Sequence, residues 1–279
     1  MSIFESVILG IVQGLTEFLP VSSSGHLVLL QKIFNINEPG LFFDTMLHTG
    51  TLVAVFIVLW KDIWGLIRKP IQKLTLFLII ATIPAVIAAL LFNDKIEEIF
   101  KSANLLGFCF LITTCFLITA EFISRRRNNK QDISDEQNNN LKTEDKMNWI
   151  DALLIGIMQA IAILPGISRS GATISGALLR KLDRDFAARF SFLLSIPAIL
   201  GALVLQTKDL VSGSAAANGE SINIIAIIAG TVSAAIVGFF AVKFMLKIIR
   251  EKSLFGFAIY TGVLGALVLL DQFVTRIVF

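Results

Sequence analysis

Charge is scarce in this sequence. Asp, Glu, Lys and Arg make up 16% of its 279 residues against 55% hydrophobic ones, and the mean hydropathy is +0.79. A water-soluble domain carries about a quarter charged residues. That shortage excludes a soluble fold, and the long charge-free runs read as membrane spans of an all-α polytopic protein. Cysteine is almost missing. Cys109 and Cys115 fall in one apolar segment on different faces of a helix, which points to free thiols and no metal site. Tyrosine occurs once and tryptophan three times beside 23 phenylalanines, a balance that suits lipid contact. No single basic patch exists: Lys and Arg flank the apolar runs, which argues against nucleic acid as a partner. A basic leader is absent too. Glu5, Gln13 and Glu17 interrupt the first apolar stretch, so it does not read as a cleaved signal peptide.

What is present is two polar islands. The first is Gln13-Gly14-Leu15-Thr16-Glu17-Phe18-Leu19-Pro20-Val21-Ser22-Ser23-Ser24-Gly25-His26. The second runs from Gln159 through Leu164-Pro165-Gly166-Ile167-Ser168-Arg169-Ser170-Gly171-Ala172-Thr173. Ionisable groups at membrane depth are costly and read as functional by default.

The surrounding pattern explains their placing. Residues 3–19 and 23–34 are apolar and helical in pattern, but each piece is too short for a hydrocarbon core of about 30 Å at about 1.5 Å per residue. Together they predict a re-entrant hairpin, tolerated where protein or a cavity surrounds it. Spans are expected at 45–66, 72–92 and 103–123, followed by a polar, Asn-rich linker over 124–148. A second hairpin over 149–182 and spans at 186–206, 222–246 and 254–275 complete six transmembrane helices and two re-entrant hairpins. The halves match. Gln13, Ser22, Ser24 and Gly25 correspond to Gln159, Ser168, Ser170 and Gly171 at one constant offset. Leu105-Leu106-Gly107-Phe108 corresponds to Leu254-Phe255-Gly256-Phe257 at a slightly larger one. This is the mark of an internal duplication. Three crossings separate the copies, so 1–123 and 149–279 are expected to form an inverted-topology repeat with its site near the midplane. Eighteen of the 24 basic residues fall in the loops near 61–73, 124–148, 180–189 and 243–252, and five on the other side. The rich side is cytoplasmic by the positive-inside rule, which places both termini outside.

Each island puts hydroxyls where a second half-helix begins. Ser is a preferred N-cap, and the first helical N–H groups lack internal partners. With the helix dipole they favour an anion. Two such tips meeting near the midplane, with the Arg169 guanidinium between them, make a receptor for phosphate or diphosphate. Gln13 and Glu17 share a helix face. His26 lies within one turn of Ser23, expected to be the cap, and a Ser with His in reach beside a cationic clamp is the pattern of an activated nucleophile. Glu17 either orients the imidazole or holds a divalent cation shared with phosphates; both roles stand open. His48, in Asp44-Thr45-Met46-Leu47-His48-Thr49-Gly50, reads as a satisfied polar contact near the interface. Asp151 reads as a helix cap, Glu97 and Glu98 as a solvated outer connection, and Gly25 and Gly171 as sites of close packing. Three rival classes remain: an inverted-repeat anion transporter, a lipid-diphosphate flippase, and an intramembrane serine hydrolase, against which a buried cation argues.

These motifs resemble the two signatures of the bacterial undecaprenyl-diphosphatases of the bacitracin-resistance type, and the likeness covers the whole chain. It implies an integral enzyme of the bacterial plasma membrane that hydrolyses undecaprenyl diphosphate to undecaprenyl phosphate and phosphate, recycling the cell-wall lipid carrier. It further implies a Mg²⁺ or Ca²⁺ requirement, a pocket open to the extracytoplasmic face, membrane lipid and a polyprenyl diphosphate as partners, and allows a homodimer. By match, Ser23 is the nucleophile, His26 the general acid/base, Arg169 the phosphate clamp and Glu17 the acidic or metal-linked group. Gln13, Ser22, Ser24, Ser168, Ser170, Gly171 and Thr173 are expected to bind substrate. The family's first acidic position carries Glu or Gln, here Gln13, which leaves Glu17 to do most of any metal-linked work. Its third hydroxyl position often carries Thr, here Ser24.

Overall fold

The computed structural model describes residues 1–34, 36, 40–131, 141–211 and 223–279. Eleven α-helices occur among them: α1 (Ile3–Thr16), α2 (Ser23–Ile33), α3 (Gly40–Val58), α4 (Trp60–Arg68), α5 (Lys73–Ser102), α6 (Leu106–Gln131), α7 (Trp149–Ile161), α8 (Arg169–Leu179), α9 (Arg184–Val211), α10 (Ile224–Glu251) and α11 (Phe255–Leu270). No strand forms among the described residues; a lone bridge joins Lys142 and Leu182. Stretches of α5, α6, α9 and α10, and α11 with the residues after it, are long and apolar enough to cross a membrane. The bent pair α3–α4 makes a sixth crossing if counted as one span. The fold is thus an all-α polytopic membrane protein. The middle of the expected linker, 132–140, lies outside the described residues.

Two expected boundaries need correction. The span placed at 45–66 stops at Val58, and α4 leaves at 81°. The cause is in its sequence: Lys61, Asp62 and Arg68 cannot continue into hydrocarbon, while Trp60 and Trp64 stack at 5.5 Å and the Arg68 guanidinium lies 5.1 Å from the Trp64 ring. Such aromatic and basic groups favour the membrane–water boundary. The outer connection after 92 is also not a loop. It continues α5 past a kink at Phe92 and ends at Ala103 in a left-handed conformation. Asn93–Ser102 contains neither Pro nor Gly, so nothing local stops the helix.

The short helices α1 and α7 are the frame for both polar islands. Each lies backbone-close on a long helix from the other half. A Cβ at Gly10 of α1 would sit 2.2 Å from the Gly230 oxygen of α10, and one at Gly156 of α7 would sit 2.5 Å from the Ala81 oxygen of α5. Small residues permit such approach, and the tight van der Waals contact it yields is a main source of helix association in lipid. The central core then forms around Phe18, Phe190, Phe192, Leu117 and Ile155, all fully or almost fully buried.

Candidate active site

The first tip begins where α1 gives out. Helix α1 starts with a capping box of Ser2 and Glu5 and ends at Thr16. Glu17 continues its backbone bond to Gln13, and the chain turns through Phe18–Val21. Phe18 is fully buried and meets Phe192 of α9 edge-on at 5.3 Å between ring centroids. Burying a phenylalanine contributes roughly 2–3 kcal/mol, enough to pin the turn and to aim its neighbour Glu17. Ser22, with φ 71°, caps α2 by accepting from the Gly25 N–H at 3.3 Å. The cap is therefore Ser22, not Ser23 as its sequence suggested; Ser23 is the first helical residue.

The second tip repeats this. Ser168 caps α8 by accepting from the Gly171 N–H at 3.0 Å, which makes Arg169 the first helical residue. Its turn needs Gly166, with φ 94°, because a Cβ there would meet Cys109 Cβ at 2.7 Å and the Leu106 oxygen at 2.9 Å. Thr113 of α6 accepts from the Ser168 N–H at 2.9 Å and donates to the Gly166 carbonyl at 3.1 Å. At the base of this hairpin Asn148, not Asp151, is the cap of α7; Asp151 returns the bond as the third helical residue of a capping box and also accepts from Lys142 and Arg180, each at 2.7 Å. Burial alone would raise this carboxyl. The two cationic hydrogen bonds outweigh it and hold Asp151 below the ordinary aspartate value.

The tips meet. Ser170 Oγ donates to the Leu19 carbonyl at 3.0 Å, and a Cβ on Gly25 would lie 2.9 Å from Gly166 Cα. Across this seam Arg169 forms an ion pair with Glu17 Oε1. Glu17 Oε2 accepts from Ser23 Oγ at 2.6 Å and from Gln13 Nε2 at 2.9 Å. The sequence shows no carboxylate beside Arg169; the fold supplies one from 152 positions away. Ser22 and Ser24 lie 3.4 Å apart and Ser168 and Ser170 3.2 Å apart, so both tips hold hydroxyl pairs over first-turn N–H groups.

Three placements differ from expectation. Ser23 does not hydrogen-bond His26; its partner is Glu17. The His26 Nδ1 is 2.6 Å from the Ser22 carbonyl and its Nε2 2.7 Å from the Tyr260 hydroxyl. The reason is local: the imidazole folds back one turn onto the cap carbonyl, which also accepts the His26 backbone N–H at 3.2 Å. Thr173 is buried behind the tip, donating to the Arg169 carbonyl at 2.8 Å and facing Ser191 Oγ at 2.6 Å, so it props the tip without lining it. His48 is not an interface contact. Its Nδ1 lies 3.1 Å from Glu17 Oε2 and 2.8 Å from Gln13 Nε2, inside the site. The rule that singled out Glu17, an ionisable group in an apolar run, applied equally to His48. Tyr260 carried no local signal beyond being the sole tyrosine.

Against known families the result is direct. The family model of bacitracin resistance protein BacA matches residues 6–267. The chain belongs to that family. Among curated members, it is 50% identical over 273 residues to undecaprenyl-diphosphatase 3 of Bacillus cereus, covering 98% of each chain. It is 47% identical to the undecaprenyl-diphosphatase of Carboxydothermus hydrogenoformans, again over 98% of each. That of Halothermothrix orenii is 41% identical, over 97% of this chain and 98% of its own. In this BacA-family chain no group of three or more His, Cys, Asp or Glu able to hold a metal occurs among the described residues. Glu17 and Gln13, joined through the Gln13 amide nitrogen, do provide oxygen donors, Gln13 Oε1 being buried and unpartnered. That set fits a hard cation arriving with a diphosphate, which takes one or two protein oxygens and the rest from phosphate and water.

Proposed function

We propose that this protein is an integral membrane phosphatase that hydrolyses undecaprenyl diphosphate to undecaprenyl phosphate and inorganic phosphate, returning the cell-wall lipid carrier to use. The reading rests above all on one observation: Ser23 and Arg169, the first helical residues of two abutting half-helices, are held on the two oxygens of one carboxylate, Glu17. A transporter needs no hydroxyl poised this way.

In the free protein Arg169 and Ser23 share Glu17. A diphosphate headgroup brings oxygens that compete for the guanidinium, whose planar fork matches them. As Arg169 turns to the phosphate, Glu17 keeps only His48, Gln13 and Ser23 as neighbours and becomes a better proton acceptor for Ser23. Ser23 Oγ then forms a bond to the terminal phosphorus. The bridging P–O bond breaks, undecaprenyl phosphate leaves with that electron pair, and the Ser23 proton passes to Glu17. In the second half His26 Nε2 takes a proton from water, which attacks the phosphoserine and frees phosphate. Ser23 regains its proton from Glu17, and His26 gives up the water's proton to solvent as phosphate leaves. A divalent cation, if held by Gln13 Oε1 and phosphate oxygens, would neutralise diphosphate charge and leave Glu17 as the base. Arg169 and the helix N–H groups do most of the remaining electrostatic work, since phosphoryl transfer is chiefly positioning and charge stabilisation.

The basic loops support a cytoplasmic linker, with both termini and the mouth of the site on the extracytoplasmic side. The packing of α1 on α10 and of α7 on α5, each across the halves, supports the inverted-repeat architecture. The deciding experiment is phosphate release from undecaprenyl diphosphate by purified protein in detergent, with and without chelator. Wild type is expected to release phosphate, and Arg169→Ala to lose about 10³-fold in kcat/KM. An Arg169→Ala rate near wild type would sink the reading.

A further inference from the structure

His26 is held on three sides. Its Nδ1 faces a backbone carbonyl, the Ser22 oxygen at 2.6 Å. A carbonyl only accepts, so the proton sits on Nδ1, and Nε2 presents its lone pair. That lone pair points at the Tyr260 hydroxyl, 2.7 Å away, which donates to it. The phenol ring also lies parallel to the imidazole, 7° off plane with centroids 5.7 Å apart, while Phe110 closes the other side edge-on at 5.6 Å. The arrangement spans 234 positions of sequence. It is fixed by the next residue, Thr261, whose hydroxyl is 2.8 Å from that of Thr114 and so locks α11 to α6. Tyr260 itself is 48% exposed although its hydroxyl reaches an imidazole that is 8% exposed. It stands between the open flank of α11 and the one nitrogen of His26 able to take a proton.

We infer that Tyr260 is the positioning residue of His26: its ring sets the imidazole plane, and its hydroxyl holds Nε2 in the lone-pair form until a phosphate oxygen draws that hydroxyl away. The inference rests on the phosphatase reading for its kinetic consequence, not for its geometry. On headgroup binding the phenol O–H switches its donation from nitrogen to phosphate. Nε2 is thereby uncovered at the moment a water needs a base. Tyr260 forms no bond to the substrate's reacting atoms and stays protonated throughout.

Two variants separate the ring from the hydroxyl. Tyr260→Phe keeps the stacking and removes the donor; Tyr260→Leu removes both. With undecaprenyl diphosphate as substrate, Tyr260→Phe is expected to lower kcat about tenfold with KM within about twofold, and Tyr260→Leu to lower kcat further. Nitrogen-15 NMR of histidine-labelled protein gives a readout independent of turnover. The chain has two histidines, and His48→Gln removes the second signal. Wild type should show one tautomer, with Nδ1 protonated and Nε2 hydrogen-bonded; in Tyr260→Phe the Nε2 resonance should move toward that of an unbonded lone-pair nitrogen. A resonance that stays in place, a kcat that does not fall, or a loss confined to KM overturns the inference. If wild type itself releases no Arg169-dependent phosphate, the phosphatase reading fails, and the resonance alone still decides whether Tyr260 holds Nε2.

Discussion

The two hairpin tips share one plan and carry different chemistry. Ser22 and Ser168 cap their helices through the same bond to a glycine N–H, and Ser24 and Ser170 stand beside the caps. Between them one position differs: the first tip has Ser23 where the second has Arg169. The shared parts make an electropositive helix start, useful to any anion. In the proposed mechanism the single divergent position turns that pair of cradles into a nucleophile facing a clamp. The backbones differ as well. The first tip carries its positive φ on Ser22, while the second carries it on Gly166, where α6 leaves no room for a side chain. The capped helix start is common to both copies; the proposed catalysis belongs to neither alone.

The largest test of this contrast is at the cap-adjacent hydroxyls. Ser23→Ala should cost about 10³-fold or more in phosphate release, and Ser24→Ala or Ser170→Ala only about tenfold. Equal losses at all three would mean that the tips are alike after all. Next comes the joint between them. Glu17→Gln keeps a hydrogen-bonding side chain but no charge for Arg169, so kcat/KM should fall about 10²-fold and the melting temperature in detergent should drop; a normal rate would reduce the bridge to a structural strut. Smaller still is the backbone difference. Gly166→Ala should destabilise by about 2 kcal/mol or more, through its positive φ and the clash with Cys109, while Ser22→Gly should cost only a few tenths, roughly what a Ser-to-Gly cap change costs. Chemical unfolding of both variants would rank them. The smallest effect concerns the base of the second hairpin. Asp151 is held below its ordinary value by Lys142 and Arg180 against the opposing effect of burial. Its contribution is therefore complete above the unfolded-state value of about 4 and disappears as pH falls through the lower folded value. Asp151→Asn should lower the melting temperature at pH 7 and by much less at the lowest pH the protein tolerates.

Much of this architecture was readable from spacing. The hairpin helices began and ended within a few residues of their expected limits, because Leu-Pro turns and serine caps are local signals. The meeting of the tips followed from matching Ser22 with Ser168. The bend at Leu59 was missed because hydropathy counts Trp60, Ile63 and Trp64 as apolar without asking which face they share. The helical continuation to Ser102 was missed because polarity was taken for a loop. The partners of the site residues were the least legible. Ser23 sits within one turn of His26, and that closeness suggested a pair. Only the folded chain shows Glu17 nearer to Ser23, Tyr260 on His26, and His48 drawn in from α3. Each of these contacts depends on how helices lie across one another, which no run of adjacent residues encodes.

The abutment of Gly25 on Gly166, reinforced by Ser170 on the Leu19 carbonyl, also gives the site a floor. In the proposed function, a headgroup seated on it could not drop through to the opposite leaflet without prising two backbones apart, and spent phosphate would back out by the route the lipid came in.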